Sequence, residues 1–162
     1  MRSECVSLTP DELETILLPK LRGHVFHVTT PEGYAGILRD QFVGSNANGQ
    51  YALSHSQSRV SYFRKRDCVS VVDLRAITDE DLRLAILKYY FLDIFPNHKS
   101  VFLILKQQCY SELVPWTVSK GDEGLTAMIV PYLEAGFKHS IPFDCIEKAI
   151  LVEVADSPET SP

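Results

Sequence analysis

The sequence predicts an α+β fold, in which antiparallel β-sheets with flanking helices form a single domain. Helix signals come early in the chain, whereas strand-like apolar runs cluster late. That order favours an α+β arrangement over a repeated βαβ unit. The 162 residues are enough for one hydrophobic core, and 45% hydrophobic with 23% charged residues is an ordinary globular composition. We therefore expect one domain over residues 1–155 and a disordered polar tail at 156–162.

Two helix starts in the first part of the chain share a threonine, a proline and an acidic residue. Thr9-Pro10-Asp11-Glu12 combines a cap, a first-turn proline and a capping box, and we expect this helix to end at Pro19. Thr30-Pro31-Glu32 starts a second helix by the same chemistry. Between these two helices, residues 24–29 show side chains on alternating phases, and this pattern predicts a strand.

The remaining elements follow a turn-rich loop at residues 44–49. A short strand is expected after that loop, and it becomes a helix over about Ser54 to Arg64. Further strands are predicted at 68–74, 100–106, 127–130, 135–139 and 148–154, with a helix at 78–92 and a loop-like stretch at 108–125.

Composition narrows the classes of function. The formal charge of −5 argues against a broad nucleic-acid interface, and the basic cluster of Arg59, Arg64, Lys65 and Arg66 is more typical of a solvated helix end. There is no glycine-rich phosphate loop, which argues against Rossmann and P-loop nucleotide sites. The chain shows no signal peptide and no apolar stretch long enough to span a bilayer, so we expect a cytoplasmic protein without a membrane partner.

The four cysteines, Cys5, Cys68, Cys109 and Cys145, are widely spaced and form no CxxC pair or zinc-like Cys-His pattern. No metal site is therefore predicted. Cys68 and Cys145 stand at the start of apolar runs, where buried free thiols are common.

Polar and aromatic side chains at four places form a candidate site. His27 and Thr29 share one face of the first predicted strand, where they could hydrogen-bond a ribose or an amide; a core histidine bonded to backbone is the alternative. Tyr51 and Tyr62 are ten residues apart, and a strand-to-helix turn could bring the two rings together as a slot for a planar base. Tyr62 could equally be a core residue of an amphipathic helix.

Glu134 is the fourth component, because a carboxylate at a strand edge can hold a ribose hydroxyl and stabilise positive charge on an anomeric carbon. An ordinary exposed glutamate is the alternative interpretation. Competing carboxylates occur elsewhere in the second half of the chain: Glu112, Glu123, Glu147 and Glu153.

Together these residues resemble the ADP-ribosyltransferase superfamily, in its diphtheria-toxin-like and poly(ADP-ribose) polymerase branch, which carries a His-Tyr-Tyr-Glu set. The run from Gly49 to Tyr62 is similar to the serine-rich stretch of the polymerases that lies between two tyrosines. The segment from Glu134 to Val154 has the order glutamate, strand, Ile-Pro step and closing strand. His27-Val28-Thr29 is also similar to the His-x-Thr start of bacterial DNA-modifying ADP-ribosyltransferases.

The resemblance implies an ADP-ribosyltransferase-like fold of split antiparallel β-sheets with flanking helices. It also implies an NAD-dependent ADP-ribosyltransferase with NAD as co-substrate and no metal. It assigns the binding positions to His27, Thr29, Tyr51, Ser58 and Tyr62, and the catalytic position to Glu134. The histidine and threonine would hold the adenosine ribose, the tyrosines would enclose the nicotinamide, and the serine would bond its carboxamide. The glutamate would hold the nicotinamide ribose and stabilise the oxocarbenium-like state.

Other functions stay open at this stage. The acceptor of the ADP-ribose is a macromolecule, protein or nucleic acid, that the sequence does not identify. The alternatives are a non-catalytic NAD or ADP-ribose binding module, an RNA 2′-phosphotransferase of the related fold, for which this acidic chain offers few arginines, and a domain that acts only through protein contacts.

Overall fold

The computed structural model describes residues 1–51, 60–89, 99–121 and 129–155. In this part of the chain the three helices are α1 (Leu18–Leu21), α2 (Pro31–Asp40) and α3 (Asp79–Tyr89). The strands are β1 (Arg2–Leu8), β2 (Val25–Thr29), β3 (Phe42–Gly44), β4 (Cys68–Asp73), β5 (Lys99–Leu105), β6 (Leu113–Pro115), β7 (Glu134–Lys138), β8 (Ser140–Pro142) and β9 (Ile146–Val154).

The described strands form a seven-stranded sheet in the order β1-β9-β5-β2-β4-β7-β6 and a two-stranded sheet of β3 and β8. Only the β1–β9 pair among them is parallel. The large sheet narrows at its middle, where two residue pairs, Val25 with Asp73 and Phe26 with Val72, join β2 to β4. The α+β class with a mostly antiparallel sheet is confirmed.

Both faces of the large sheet are covered by apolar packing. On one face, the Phe26 and Phe102 rings lie 5.7 Å apart and pack with buried leucines, including Leu21 of α1 and Leu82 of α3. On the other face, Ile37 of α2 packs against valines and leucines of the same strands. Strands buried on both faces read as nearly continuous apolar runs, which is why β5 was predicted to within one residue at each end. β9 begins two residues before its predicted start at residue 148.

The two threonine signatures behave differently in the fold. Thr30 caps α2, since its hydroxyl accepts a hydrogen bond of 3.1 Å from the Gly33 amide. The Thr9 capping box forms as well, with the Thr9 amide donating to Glu12 at 2.8 Å. However, the first helix is a 3₁₀ turn, a wide π turn and then α1, so the predicted end at Pro19 is wrong. Pro19 lies in the first turn of α1, where its missing N–H leaves no hydrogen bond broken.

Other element predictions are corrected in the second half. The stretch predicted as a loop over 108–125 contains β6 between two 3₁₀ turns, Gln107–Glu112 and Trp116–Gly121. The strand predicted to end at Val130 is absent from residues 129–130, because Val130 instead closes a turn with Glu134. β1 was not predicted at all. Residues 54–59 of the helix predicted from Ser54 to Arg64, residues 127–128 of that predicted strand and the tail at 156–162 lie outside the described residues. The remaining part of that helix prediction is wrong, because residues 60–64 contain turns, an isolated bridge at Ser61 and the start of a 3₁₀ turn at Arg64.

Cys145 is not the free thiol expected from its apolar surroundings, because it forms a disulfide with Cys109. The turn after β5 and the turn before β9 are brought together by the pairing of those strands, and the Lys106 amide donates to the Cys145 carbonyl at 2.8 Å. Cys68 is a buried free thiol, as predicted.

Loss of this disulfide should lower the stability of the fold. Its cysteines are 36 residues apart in sequence, and a loop of that size typically contributes about 2–4 kcal/mol by restricting the unfolded chain. We expect Cys109→Ser and Cys145→Ser to lower Tm similarly and to remove the effect of dithiothreitol on Tm. Cys5→Ser, at an exposed free thiol, is the matched control; an equal loss there would contradict the assignment.

No helix among the described residues is long and apolar enough to cross a membrane.

Candidate functional site

Glu134 is the first residue of β7 and lies opposite Val72 of β4. Ser70 lies opposite Gly136 in the same pairing, so Ser70 and Glu134 are diagonal neighbours on one face of the sheet. The segment before β4 crosses this face, because Phe63 packs directly over Gly136. Glu134 is therefore enclosed by β4 on one side and by the residues next to Phe63 above it.

Three hydrogen-bond donors converge on the Glu134 carboxylate. The Ser70 hydroxyl donates to Oε1 at 2.5 Å, and the Ser61 hydroxyl reaches the same oxygen at 3.4 Å. The Val130 amide donates to Oε2 at 2.9 Å. This excludes the ordinary exposed glutamate that the sequence left open, since the side chain is partly buried and held at both oxygens.

Burial raises the pKa of the Glu134 carboxyl above its usual range, because the charged form loses contact with water. The hydrogen bonds from Ser70, Val130 and Ser61 act in the opposite direction and stabilise the carboxylate. A carboxyl with a raised pKa among fixed donors is typical of functional sites, although structural networks produce it as well.

A reciprocal turn holds this carboxylate in place. The Glu134 amide donates to the Val130 carbonyl at 2.9 Å, while the Val130 amide donates back to the Glu134 side chain. Tyr132, inside the turn, has a left-handed φ of 64°. The backbone thus fixes the carboxylate and turns the Tyr132 side chain outward.

His27 lies where the ladder between β2 and β4 stops. The last paired residue of β2 is Phe26, and the next residue, His27, instead donates from Nδ1 to the Ser70 carbonyl at 2.9 Å. Burial lowers the pKa of His27 and the Ser70 carbonyl opposes that change, so the imidazole is neutral at neutral pH. Because Nδ1 carries the proton, Nε2 presents a lone pair, and the described residues supply no partner for it.

Ser70 therefore joins two residues that the sequence predicted separately. Its carbonyl accepts from His27 and its hydroxyl donates to Glu134. Sequence reasoning missed Ser70, although one signal was present: it is the polar residue within the apolar strand Cys68–Asp73. Ser61 belongs to the serine-rich run between Tyr51 and Tyr62, in which the resemblance assigns a role to Ser58 alone.

Thr29 is 8% exposed and lies under the first turn of α2. A Cβ placed on Gly33 would come closer than 3.0 Å to the Thr29 hydroxyl, so this threonine fixes the approach of the helix to the strand. The structure gives Thr29 a packing role beside the site.

The two tyrosines have different environments. Tyr51 is 37% exposed; its backbone is held by the Asn46 side chain at 2.9 and 3.0 Å, and its ring lies against Gly44. Tyr62 is 3% exposed and packs edge-on against Phe63 at 5.2 Å. Tyr62 thus adjoins Ser61 from within a small core, as its alternative interpretation anticipated, but it lies in a turn and not in an amphipathic helix. Ser58 lies outside the described residues.

A separate polar cleft of about 220 Å³ lies at the other end of the β4–β7 pair. Asp67 and His139, which flank Cys68 and Lys138 in that pair, line it together with Ser45. The His139 imidazole lies 2.9 Å from the Asp67 carboxylate, and this hydrogen bond, with a second from Ser45, lowers the pKa of Asp67. Both side chains are mostly exposed, so the pair belongs to the surface and not to the Glu134 site.

Comparison of the chain with protein-family models, curated proteins and solved structures finds no match in any of the three. Among the described residues, no group of three or more histidine, cysteine, aspartate or glutamate side chains could hold a metal ion.

Removal of the Ser70 hydroxyl should raise the pKa of Glu134 further, because that hydrogen bond is the largest stabilising influence on the carboxylate. We expect Ser70→Ala to shift the Glu134 titration, followed by NMR of the side-chain carboxyl carbon, to higher pH. Ser61→Ala is the matched comparison, and its shift should be smaller because its contact is longer, 3.4 Å. Equal shifts, or none, would contradict the geometry described.

Proposed function

We propose that the protein is an NAD-dependent ADP-ribosyltransferase, which transfers ADP-ribose from NAD to an acceptor and releases nicotinamide. The observation that carries the proposal is the Glu134 carboxylate, held by two hydroxyls and a backbone amide and linked through Ser70 to His27. Of these residues, His27 and Glu134 occur in the chain order that the resemblance to the superfamily implies. The end of the β2–β4 pairing beside His27 supports the ADP-ribosyltransferase-like fold of split antiparallel β-sheets that the resemblance implies.

The residues present fit the chemical groups of NAD. The Nε2 atom of His27, which has no partner among the described residues, can accept a hydrogen bond from a ribose hydroxyl. Tyr51 offers a partly exposed ring to a planar base, but this ring lies against Gly44, which lines the separate cleft. Glu134 can accept one from the second ribose if a substrate hydroxyl replaces the weak Ser61 contact of 3.4 Å.

The reaction needs electrostatic stabilisation more than a strong base. The bond between the ribose anomeric carbon and the nicotinamide nitrogen breaks, and its electron pair leaves with a pyridinium ring that becomes neutral. Positive charge then grows on the ribose, where the ionised Glu134 carboxylate stabilises it. The acceptor forms the new bond to the anomeric carbon and loses a proton to solvent.

Two measurements test the proposal. NAD should raise Tm, since binding to the folded state alone stabilises it by mass action. The wild-type protein should also release nicotinamide from NAD, detected by chromatography. Absence of both effects over millimolar NAD and a panel of protein and nucleic-acid acceptors would refute the proposal.

A non-catalytic NAD-binding module is the second candidate. It is favoured by one observation, the three donors that already occupy the Glu134 carboxylate. It predicts a thermal shift with NAD that persists in Glu134→Gln, with no nicotinamide released by either protein.

A further inference from the structure

Two aromatic rings from distant parts of the chain meet at the surface beside Glu134. The ring centroids of Trp116 and Tyr132 are 4.7 Å apart, with an angle of 53° between the planes. Tyr132 is 58% exposed, which is unusual for a large aromatic side chain with a ring partner. The Lys120 ammonium lies 4.7 Å above the Trp116 ring. We name these three residues the aromatic platform.

The fold places the platform at the rim of the candidate site. Tyr132 precedes Glu134 by two residues, so their Cα atoms are within about 7 Å. Trp116 directly follows β6, whose last residue, Pro115, pairs with Ala135, the residue after Glu134. The turn that holds the carboxylate is also the turn that exposes Tyr132, so a ring stacked there would lie near the residues that hold the Glu134 carboxylate.

The left-handed backbone conformation of Tyr132 costs conformational free energy in a residue with a large side chain. A left-handed φ of 64° is uncommon for a bulky side chain. Strained residues of this kind tend to collect at ligand sites, where the surrounding structure holds them. Because the ring is mostly exposed, little apolar surface is buried to offset this free-energy cost, so packing alone does not account for its position.

We infer that the aromatic platform binds a nucleobase that carries a phosphate group, and that it receives the acceptor of the proposed transfer reaction. Every nucleobase offers a flat face to stack on tyrosine or tryptophan, and a lysine beside the rings supplies charge for the phosphate. The inference that this ligand is the acceptor rests on the proposed function; the binding of the ligand does not. A free nucleotide and a single-stranded nucleic acid share this chemistry.

The single tryptophan of the chain makes binding directly measurable. We expect nucleoside monophosphates to quench Trp116 fluorescence saturably, and the corresponding nucleosides to bind more weakly. Short single-stranded oligonucleotides binding at least tenfold tighter than the monophosphates would identify nucleic acid as the source. Equal affinities would identify the free nucleotide. No quenching by either ligand overturns the inference.

Variants assign the signal to the platform. Tyr132→Leu should weaken nucleotide binding by about tenfold or more, since one stacking partner is lost. Lys120→Gln should reduce the preference for monophosphates over nucleosides. Val118→Ala, at an exposed position in the same turn, is the matched control. Unchanged affinity in Tyr132→Leu would overturn the inference, and far-UV circular dichroism checks that the variant folds.

The two proposals fail separately. Quenching by nucleotides without any nicotinamide release would leave the platform as a binding site and refute the proposed enzyme. Nicotinamide release in the absence of nucleotide quenching would support the enzyme and refute the platform. If both hold, mass spectrometry of the bound nucleotide or oligonucleotide after incubation with NAD should show the added mass of ADP-ribose, and Tyr132→Leu should reduce that product.

Discussion

Replacement of Glu134 by glutamine should reduce nicotinamide release from NAD by about 10²-fold or more, because a neutral amide cannot balance positive charge on the ribose. NAD binding should survive, since the amide oxygen can still accept a hydrogen bond from a ribose hydroxyl. We therefore expect kcat to fall far more than the affinity for NAD. Release rates are measured by chromatography and affinity by the thermal shift that NAD produces.

The same substitution should raise stability near neutral pH. The pKa of Glu134 is raised in the folded state, so the folded protein holds this proton more tightly than the unfolded chain. The protonated carboxyl stabilises the folded protein fully when the pH is below the pKa of Glu134 in the unfolded chain. This stabilisation is lost as the pH rises through the pKa of Glu134 in the folded protein. Glutamine remains neutral throughout. The amide oxygen of this glutamine can accept a hydrogen bond from the Val130 N–H, and its amide nitrogen can donate one to the Ser70 hydroxyl.

Melting curves at two pH values separate this effect from a general change in packing. At pH 7 we expect Tm of the Glu134→Gln protein to exceed that of the wild type by a few degrees, since about 1 kcal/mol corresponds to about 2–4 °C in a domain of this size. At pH 4 the difference should vanish. Glu112→Gln, at an exposed glutamate, should change neither Tm nor release. A Glu134→Gln protein with wild-type release would refute the assigned role.

Gly136→Ala, which adds a methyl group beside the Glu134 site, should cause a large loss of stability. A Cβ there would come closer than 3.0 Å to the ring of Phe63, a fully buried residue that cannot move aside. Overpacking of this kind typically costs about 1–3 kcal/mol. The displaced ring would also move Ser61, two residues earlier in the chain, away from Glu134. Chemical denaturation measures the loss directly.

Gly121→Ala is the control for Gly136→Ala, because a Cβ at position 121 meets no atom of the described residues within 4 Å. Its free energy of unfolding should stay within about 0.5 kcal/mol of the wild type. Combining Gly136→Ala with Phe63→Leu should recover part of the loss, because the smaller side chain makes room for the methyl group. Strict additivity in this double-mutant cycle would show that the two side chains do not meet.

Much of the fold could be predicted from local pattern. α2 was recognised because Thr30 and Pro31 encode a helix start in adjacent residues, and β5 because its apolar run is nearly continuous. β1 was not predicted, because its sequence shows no clear alternation of apolar and polar residues and because its one partner among the described strands, β9, is far away in the sequence. The disulfide was not predicted for a similar reason, since nothing near Cys109 in the sequence indicates that Cys145 is its partner.

The candidate site divides along the same line. His27 and Glu134 were singled out by residue type and order, and the structure links them through one intermediary. That intermediary, Ser70, lies opposite Gly136 only after β4 and β7 have paired. The burial of Tyr62 and the exposed ring of Tyr132 also depend on tertiary packing. Residue type and order therefore predicted the candidate site residues, and the pairing of distant strands determines which of them are in contact.

The pairing of β1 with β9 has a consequence for how the chain acquires its structure. During synthesis the first strand leaves the ribosome long before its only partner in the described sheet exists. β9 also pairs with β5, so its arrival adds two strand contacts at once. Contacts between such distant segments slow folding. Until β9 emerges, β1 is an unpaired edge open to association with other chains, so the newly made protein should be more vulnerable to aggregation before β9 is made than after it.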